Sequence, residues 1–271
     1  MEMNRAALKM MSTVAILLVA GVANAASVAP PANLTQAGKL TFCAEYGNPP
    51  LGFYDENQVL TGFEIELGGK IAERMGLEAK WKEVSFSAII PALMAKQCDA
   101  ILSQLFDKPE RREVVDFVNY MYSSQSLLAP KGNPKNIKGL NDLSGLKVSV
   151  GNGTTIQGLL DAQNKVFKEA GKAEAKVVVF PKDSDARQAL QTGQVDAYGT
   201  TLETAAFFFT KAGQVFDIAG EPFNKIKTGI AIRKGEADLS GAIQKAFDAM
   251  KQDGSYVKLL EKWQLGADAI E

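Results

Sequence analysis

The sequence predicts an α/β protein in which a mostly parallel sheet is covered by helices on both faces, divided into two lobes with a cleft between them. Three observations predict it. Strand-like and helix-like runs alternate along the chain. A nine-residue stretch, residues 92–100, returns as residues 189–197 with five identical positions, which reads as two lobes of related plan. Two extended segments, Tyr122 to Leu127 and Phe223 to Ile230, can carry the chain from one lobe to the other and back.

In chain order, a Pro-containing lead over Val28 to Asn33 precedes Leu40-Thr41-Phe42-Cys43-Ala44, a short buried strand ending at a turn that holds Pro49 and Pro50. Phe63 to Met75 carries apolar residues at helical spacing and is closed by Gly76. Leu77, Ala79 and Trp81 alternate as a strand, Phe86 to Lys96 pairs Ile89 with Leu93 and Ile90 with Met94 as a second helix, and Asp99 to Ser103 comes next as a strand. The second unit starts near Gly139. It runs through a strand at Lys147 to Val150, the turn Gly151-Asn152-Gly153-Thr154-Thr155, a helix to about Glu169 and a strand at Lys176 to Phe180. The chain returns by a strand-like run, Thr228 to Ile232, into a helix with Leu239, Ile243, Phe247 and Met250 on one face. Gly254 stops that helix, and Ser255 is a candidate cap for another containing Leu259, Leu260 and Trp263, both covering the first lobe. The expected division is residues 1–25 as a leader, 26–122 with 226–271 as lobe 1, and 123–225 as lobe 2.

The leader reads as a secretory signal: Arg5 and Lys9 precede an apolar run from Met10 to about Ala20, and Ala23-Asn24-Ala25 supplies a cleavage site after Ala25. That apolar run is shorter than the 18 or so residues a membrane span needs, and no other run in the chain reaches that length. Arg5, Lys9 and Glu2 leave with the leader, so the mature chain keeps 28 basic and 30 acidic side chains. So even a balance gives no reason to expect nucleic acid or an anionic membrane as partner. Export makes Cys43 and Cys98 candidates for a disulfide, with two buried thiols as the other reading. The chain has no histidine, which removes the usual general base and the commonest metal ligand and places binding ahead of catalysis.

In α/β sheets ligands collect beyond the carboxyl ends of the strands. That rule selects Glu45, Gln104, Phe106, the Gly153-Thr154-Thr155 turn and Thr201; Thr200 and Thr201 echo the positions of Ser103 and Gln104. Arg111 comes after the turn Phe106-Asp107-Lys108-Pro109-Glu110, and its planar fork suits a carboxylate, although beside Arg112 it also reads as a surface arginine. The glycine turn opens a helix, where free amides favour an anion, but it lacks both the dinucleotide fingerprint and the phosphate-loop lysine.

Taken in order, these residues resemble the polar amino-acid-binding family of periplasmic receptors, extracellular solute-binding proteins of ABC importers. The signposts are Pro49-Pro50, Thr61-Gly62-Phe63-Glu64-Ile65, Ile90-Pro91-Ala92-Leu93, Asp99-Ala100-Ile101, Pro109-Glu110-Arg111-Arg112, Val115-Asp116-Phe117, Gly153-Thr154-Thr155, Val195-Asp196-Ala197 and the terminal Ala246-Phe247 with Asp253-Gly254 and Tyr256. The resemblance implies a periplasmic-binding-protein-like fold, two lobes on a two-stranded hinge that close around a ligand, and a monomer in the periplasm. It also implies an inner-membrane permease as partner, no cofactor and no catalysis. It makes Arg111 the clamp for a ligand carboxylate, helped by Thr155 with Thr154 beside it. Three positions depart from the family pattern: Thr201 stands where an aspartate usually holds the ligand ammonium, Phe106 replaces a small Ser or Thr, and Asn48 replaces a stacking aromatic. Glu45 with Phe86 and Phe106 then suits a zwitterion with a modified amine, such as an ectoine-like, betaine-like or opine-type compound. Periplasmic dehydratases acting on arogenate or prephenate share the fold, and a sensor for a signalling receptor is a third reading.

Overall fold

The computed structural model describes residues 28–270, so the expected leader and its cleavage site lie outside the described residues. The sheet begins with β1 (Lys39–Ala44), then a small hairpin of β2 (Phe53–Tyr54) and β3 (Leu60–Thr61), then α1 (Phe63–Arg74) and β4 (Glu78–Glu83). Helix α2 (Ile89–Met94), strand β5 (Ala100–Ile101) and the single turn α3 (Pro109–Arg112) lead into β6 (Val115–Pro130). The second half contains β7 (Lys147–Gly151), α4 (Thr155–Glu169), β8 (Lys176–Phe180), α5 (Asp183–Gln191), β9 (Ala197–Thr201), α6 (Leu202–Lys211) and β10 (Phe216–Ile218). The return is β11 (Phe223–Arg233), α7 (Ala237–Gln252) and α8 (Ser255–Lys262). The nine-stranded sheet runs β4-β1-β5-β11-β6-β9-β7-β8, with β10 added on β6.

Two strands carry the architecture. β6 has 16 residues, about 50 Å of extended chain. It pairs antiparallel with β11 from Val115–Arg233 to Gln125–Phe223, with register breaks between Phe223 and Ile226 and between Thr228 and Gly229. Both expected crossings, Tyr122 to Leu127 and Phe223 to Ile230, lie inside these two strands. At its first end β11 continues onto β5, and β1 joins β5 to β4 in parallel; at the other end β6 pairs with β9, which is parallel to β7, itself parallel to β8.

Each end has its own core on both sheet faces. Phe63, Leu67 and Ile71 of α1 meet Leu40 and Phe42 of β1 and the apolar faces of α7 and α8, while Ile89 and Leu93 of α2 meet Cys43, Ile101 and Ala231 on the opposite face. At the far end Ile156, Leu160 and Phe167 of α4 cover Val148 and Val150, and Ala186, Leu190 and Ala205 cover the other side. Gly62 opens α1 with φ 130°, and a β-carbon there would stand 2.1 Å from the Leu51 carbonyl oxygen, so only glycine fits. Cys43 and Cys98 form a disulfide, joining the end of β1 to the turn before β5.

Three element boundaries differ from those expected. Phe86 to Ala88 form a separate 3₁₀ turn before α2, so the second helix starts three residues later than its apolar spacing implies. Beyond Ile101 the expected strand leaves the ladder, and Gln104 turns left-handed at φ 44°. Gly254, itself left-handed, occupies the cap of α8; Ser255 is its first helical residue, and its N–H is bound by Asp253 Oδ1 at 2.9 Å.

The internal echo is structural. In each copy a helix end passes through a left-handed residue, Lys96 at φ 55° and Gly193 at φ 71°. The next residue donates back to the helix, Gln97 N to Ala92 O at 3.0 Å and Gln194 N to Ala189 O at 2.9 Å. The aspartate two residues farther on braces the neighbouring strand: Asp99 Oδ2 accepts from Thr41 N at 2.8 Å, and Asp196 Oδ2 from Lys147 N at 2.9 Å. Lysine meets a left-handed backbone penalty that glycine escapes. Lys96→Gly is therefore expected to raise unfolding stability by about 0.5–1 kcal/mol in denaturant titrations, whereas Gly193→Lys should lower it.

Candidate functional site

The ends of β1 and β5 place the first wall of the cleft. Glu45 lies directly after β1, and its backbone N–H donates to Ser103 Oγ at 3.0 Å, which ties the two strand ends together. Its carboxylate lies between the halves: Oε2 accepts from Phe86 N of its own half at 3.0 Å, and Oε1 from Asp183 N of the other, at the start of α5, at 3.4 Å. Asp183 in turn accepts from the Tyr198 hydroxyl, which also lies 3.0 Å from Thr200 Oγ1. Burial, and then the nearby Asp183 charge, push the Glu45 carboxyl up to about 7; burial pushes Asp183 up to about 6. Two acids are thus gathered where ionisation is costly.

The opposite wall is the start of α4. Thr154 caps this helix, accepting from Gln157 N at 3.4 Å and donating to Gly151 O at 2.8 Å. The Gly153 amide, one of the expected anion donors, is already bound to Gln157 Oε1 at 2.8 Å. Thr155 Oγ1 is buried and has no partner. Arg111 donates to Phe106 O at 3.0 Å and to Gly153 O at 3.5 Å, with its guanidinium 5.6 Å from the Phe86 ring centre. Desolvation lowers its pKa to about 10.

Between these walls lies a cavity of about 50 Å³, room for roughly four waters. Glu45, Asn48, Phe86, Ser103, Gln104, Phe106, Thr154, Thr155 and Thr201 all line it, so nine of the ten residues selected from the sequence meet at one place. Arg111 is the tenth; it does not line the cavity but packs on Phe86. Asn48 Oδ1, Gln125 Nε2 and Thr155 Oγ1 each belong to a lining residue and are buried with no hydrogen-bond partner among the described residues. Unpaired buried groups of this kind cost free energy, and they offer both donors and acceptors to a guest.

Gln125, Ile156, Asp183 and Thr204 also line the cavity and are not picked out by the sequence reading. Asp183 lies just past the carboxyl end of β8, so the strand-end rule extended to that strand finds it. Gln125 sits within β6, where no local pattern separates it from its neighbours.

The whole arrangement has counterparts. The family model for bacterial extracellular solute-binding proteins, family 3, matches residues 40–266. The L-cystine-binding protein TcyJ of Escherichia coli (strain K12) is 32% identical over 265 residues, covering 97% of this chain and 96% of that protein. The L-arginine-binding protein of Pseudomonas aeruginosa is 30% identical over 227 residues, covering 81% and 85% of the two chains. An ancestral arginine-binding protein solved with arginine bound superposes with a TM-score of 0.77 at 38% identity, over 83% of this chain and 98% of that one. All three are binding proteins. With that match across most of its length, the chain belongs to the bacterial extracellular solute-binding proteins of family 3.

Proposed function

We propose that this protein is the periplasmic receptor of an ABC importer and that its cleft captures a small zwitterionic amino acid or amino-acid derivative. The bodies that close on the ligand are residues 26–122 with 226–271 and residues 123–225. The observation that carries this reading is the polarity of the cavity. At one end Glu45 and Asp183 lie buried together, with Lys182 as a weak compensating charge. At the other, Thr155 Oγ1 stands unpaired at the start of a 15-residue helix, near Arg111. A cation settles the first end and a carboxylate the second.

The relatives' names point to amino acids: cystine for one, arginine for another. The cation end supports a narrower choice. Each Glu45 oxygen already accepts a backbone N–H, and Phe86 and Phe106 line the same cavity. Such a receptor offers charge and ring faces more readily than three fresh hydrogen bonds, and this matches an alkylated or ring nitrogen better than a bare ammonium. The favoured ligands are therefore ectoine-like, betaine-like or opine-type zwitterions.

A thermal-shift screen checks this directly, because a ligand at 100 times its Kd stabilises the fold by about 2.7 kcal/mol. Alkylated-amine zwitterions are expected to raise Tm, and their carboxamide analogues to leave it unchanged. Tight binding of common α-amino acids with no response to alkylated amines would remove the narrower choice, and turnover of arogenate or prephenate would replace the receptor reading with an enzyme.

Glu45 also sets a pH dependence. Its folded pKa is raised, so the carboxyl is neutral below about pH 7 and its attraction for a cation is lost as pH falls through that value. The ratio of wild-type to Glu45→Gln affinity, measured by calorimetry, is expected to grow about tenfold from pH 6 to pH 8; a ratio that stays flat would show that Glu45 does not meet the cation.

A further inference from the structure

Behind the cavity a second set of polar side chains crosses the cleft. Gln104, left-handed after β5, donates its backbone N–H to Glu64 Oε1 at 2.6 Å. Its side-chain Nε2 reaches the other half, donating to Glu203 Oε2 at 2.8 Å, and its Oε1 accepts from Thr201 Oγ1 at 3.2 Å. Ser123, on β6 where the chain passes between the halves, also donates to Glu203 Oε2 at 2.8 Å. Glu203 itself is 4% exposed, and its second oxygen, Oε1, is buried without a hydrogen-bond partner among the described residues. One oxygen thus accepts twice while the other has no partner: a neutral acid leaves one unpaired hydroxyl there, whereas a carboxylate leaves buried charge unpaired, the costlier of the two.

We propose that Glu203 is a proton-operated latch on the cleft, holding the two halves together when neutral and loosening them when ionised. Gln104 belongs to one closing body and Glu203 to the other, so opening separates them and admits water to the carboxyl. The charged form, costly in the closed cleft, becomes inexpensive in the open one. Acid therefore favours closure and alkali favours opening. This regulation of the cleft rests on the reading that residues 26–122 with 226–271 move against 123–225, but it needs no ligand.

The groups around Glu203 agree with that sign. Burial and the adjacent Asp268, on the turn after α8, hold its carboxyl up to about 7. Asp268 is itself raised to about 6 and faces Lys225 of β11. Glu64 is also raised, yet its partners Tyr120 and Gln104 lie in its own half, so its contribution cancels between open and closed forms. Glu45 and Asp183 in the cavity titrate with closure in the same direction as Glu203 and must be separated from it by experiment.

The experiment is single-molecule energy transfer between dyes on the two bodies of the unliganded mature protein, comparing wild type with Glu203→Gln. The amide keeps an acceptor towards Gln104 and Ser123 and mimics the neutral acid. The closed-to-open ratio of the wild type, divided by that of the variant, is expected to fall about tenfold from pH 6 to pH 8. Identical pH responses in the two proteins, or a change of opposite sign, would overturn the latch. Near-ultraviolet circular dichroism at each pH confirms that the variant is folded. Should it not be, Ser123→Ala serves instead: it removes a donor to Glu203 and the acceptor that Gln104 Nε2 reaches at 3.1 Å, so the closed population falls at every pH while the pH at which the closed-to-open ratio titrates moves up, and an unmoved titration overturns the proposal equally. Because no ligand is added, a failure here leaves the choice of ligand untouched, while a thermal-shift screen without hits leaves the latch untouched.

Discussion

Everything in this molecule hangs on the ladder between β6 and β11. A single strand of 16 residues, paired along most of its partner, passes from one core to the other, and both halves of the sheet grow outward from it. Backbone hydrogen bonds fix its register, so the residues it presents to the cleft, Ser123 and Gln125, are held by main chain rather than by side-chain packing. The breaks in register on β11, near Phe223 and Thr228, fall on the crossing itself. A bulge bends its strand and increases the local twist, and here the bend falls between the two cores.

The cleft gathers groups that water would otherwise separate. Glu45, Asp183 and Glu203 are all carboxylic acids raised towards neutrality by burial. Glu45 receives a backbone N–H from across the cleft, Glu203 a side-chain amide. Apolar contact adds to these links: Phe53 of the hairpin meets Phe207 of α6 at 5.7 Å between ring centres, and Trp263 packs edge-on to Phe53. The cleft is therefore walled by a mixture of ring faces and desolvated acids.

Much of this is legible in the residues themselves. Alternating strand and helix patterns predict the layers, and the repeated Ala-Leu and Asp-Ala pairs mark two turns that match in hydrogen bonding down to the aspartate brace, Asp99 and Asp196. Searching the residues beyond each strand end brings nine of ten chosen side chains to one cavity. The hidden part depends on three-dimensional neighbours. The family resemblance makes Arg111 a carboxylate clamp and the residues alone also allow a surface arginine, whereas its guanidinium is engaged by two carbonyl oxygens and a phenyl ring. Gln125 lies within a long strand, where nothing in the local sequence marks it, and the helical spacing of Phe86 to Lys96 does not reveal that its first turn is 3₁₀. The disulfide, one of two readings the cysteines allow, is formed close to the strand ends that carry Glu45 and Ser103.

We propose that this cleft takes a zwitterion end to end, with its cation at Glu45 and Asp183 and its carboxylate at Thr155, the charge of Arg111 lying at the Gly153 carbonyl. A crystal structure of the protein purified with its natural ligand retained tests it most directly. The account predicts the ligand nitrogen beside the Glu45 carboxylate and the ligand carboxylate accepting from Thr155 Oγ1, with Gln125 Nε2 also engaged. A ligand bound in the reverse orientation, or one lacking either charge, would contradict it.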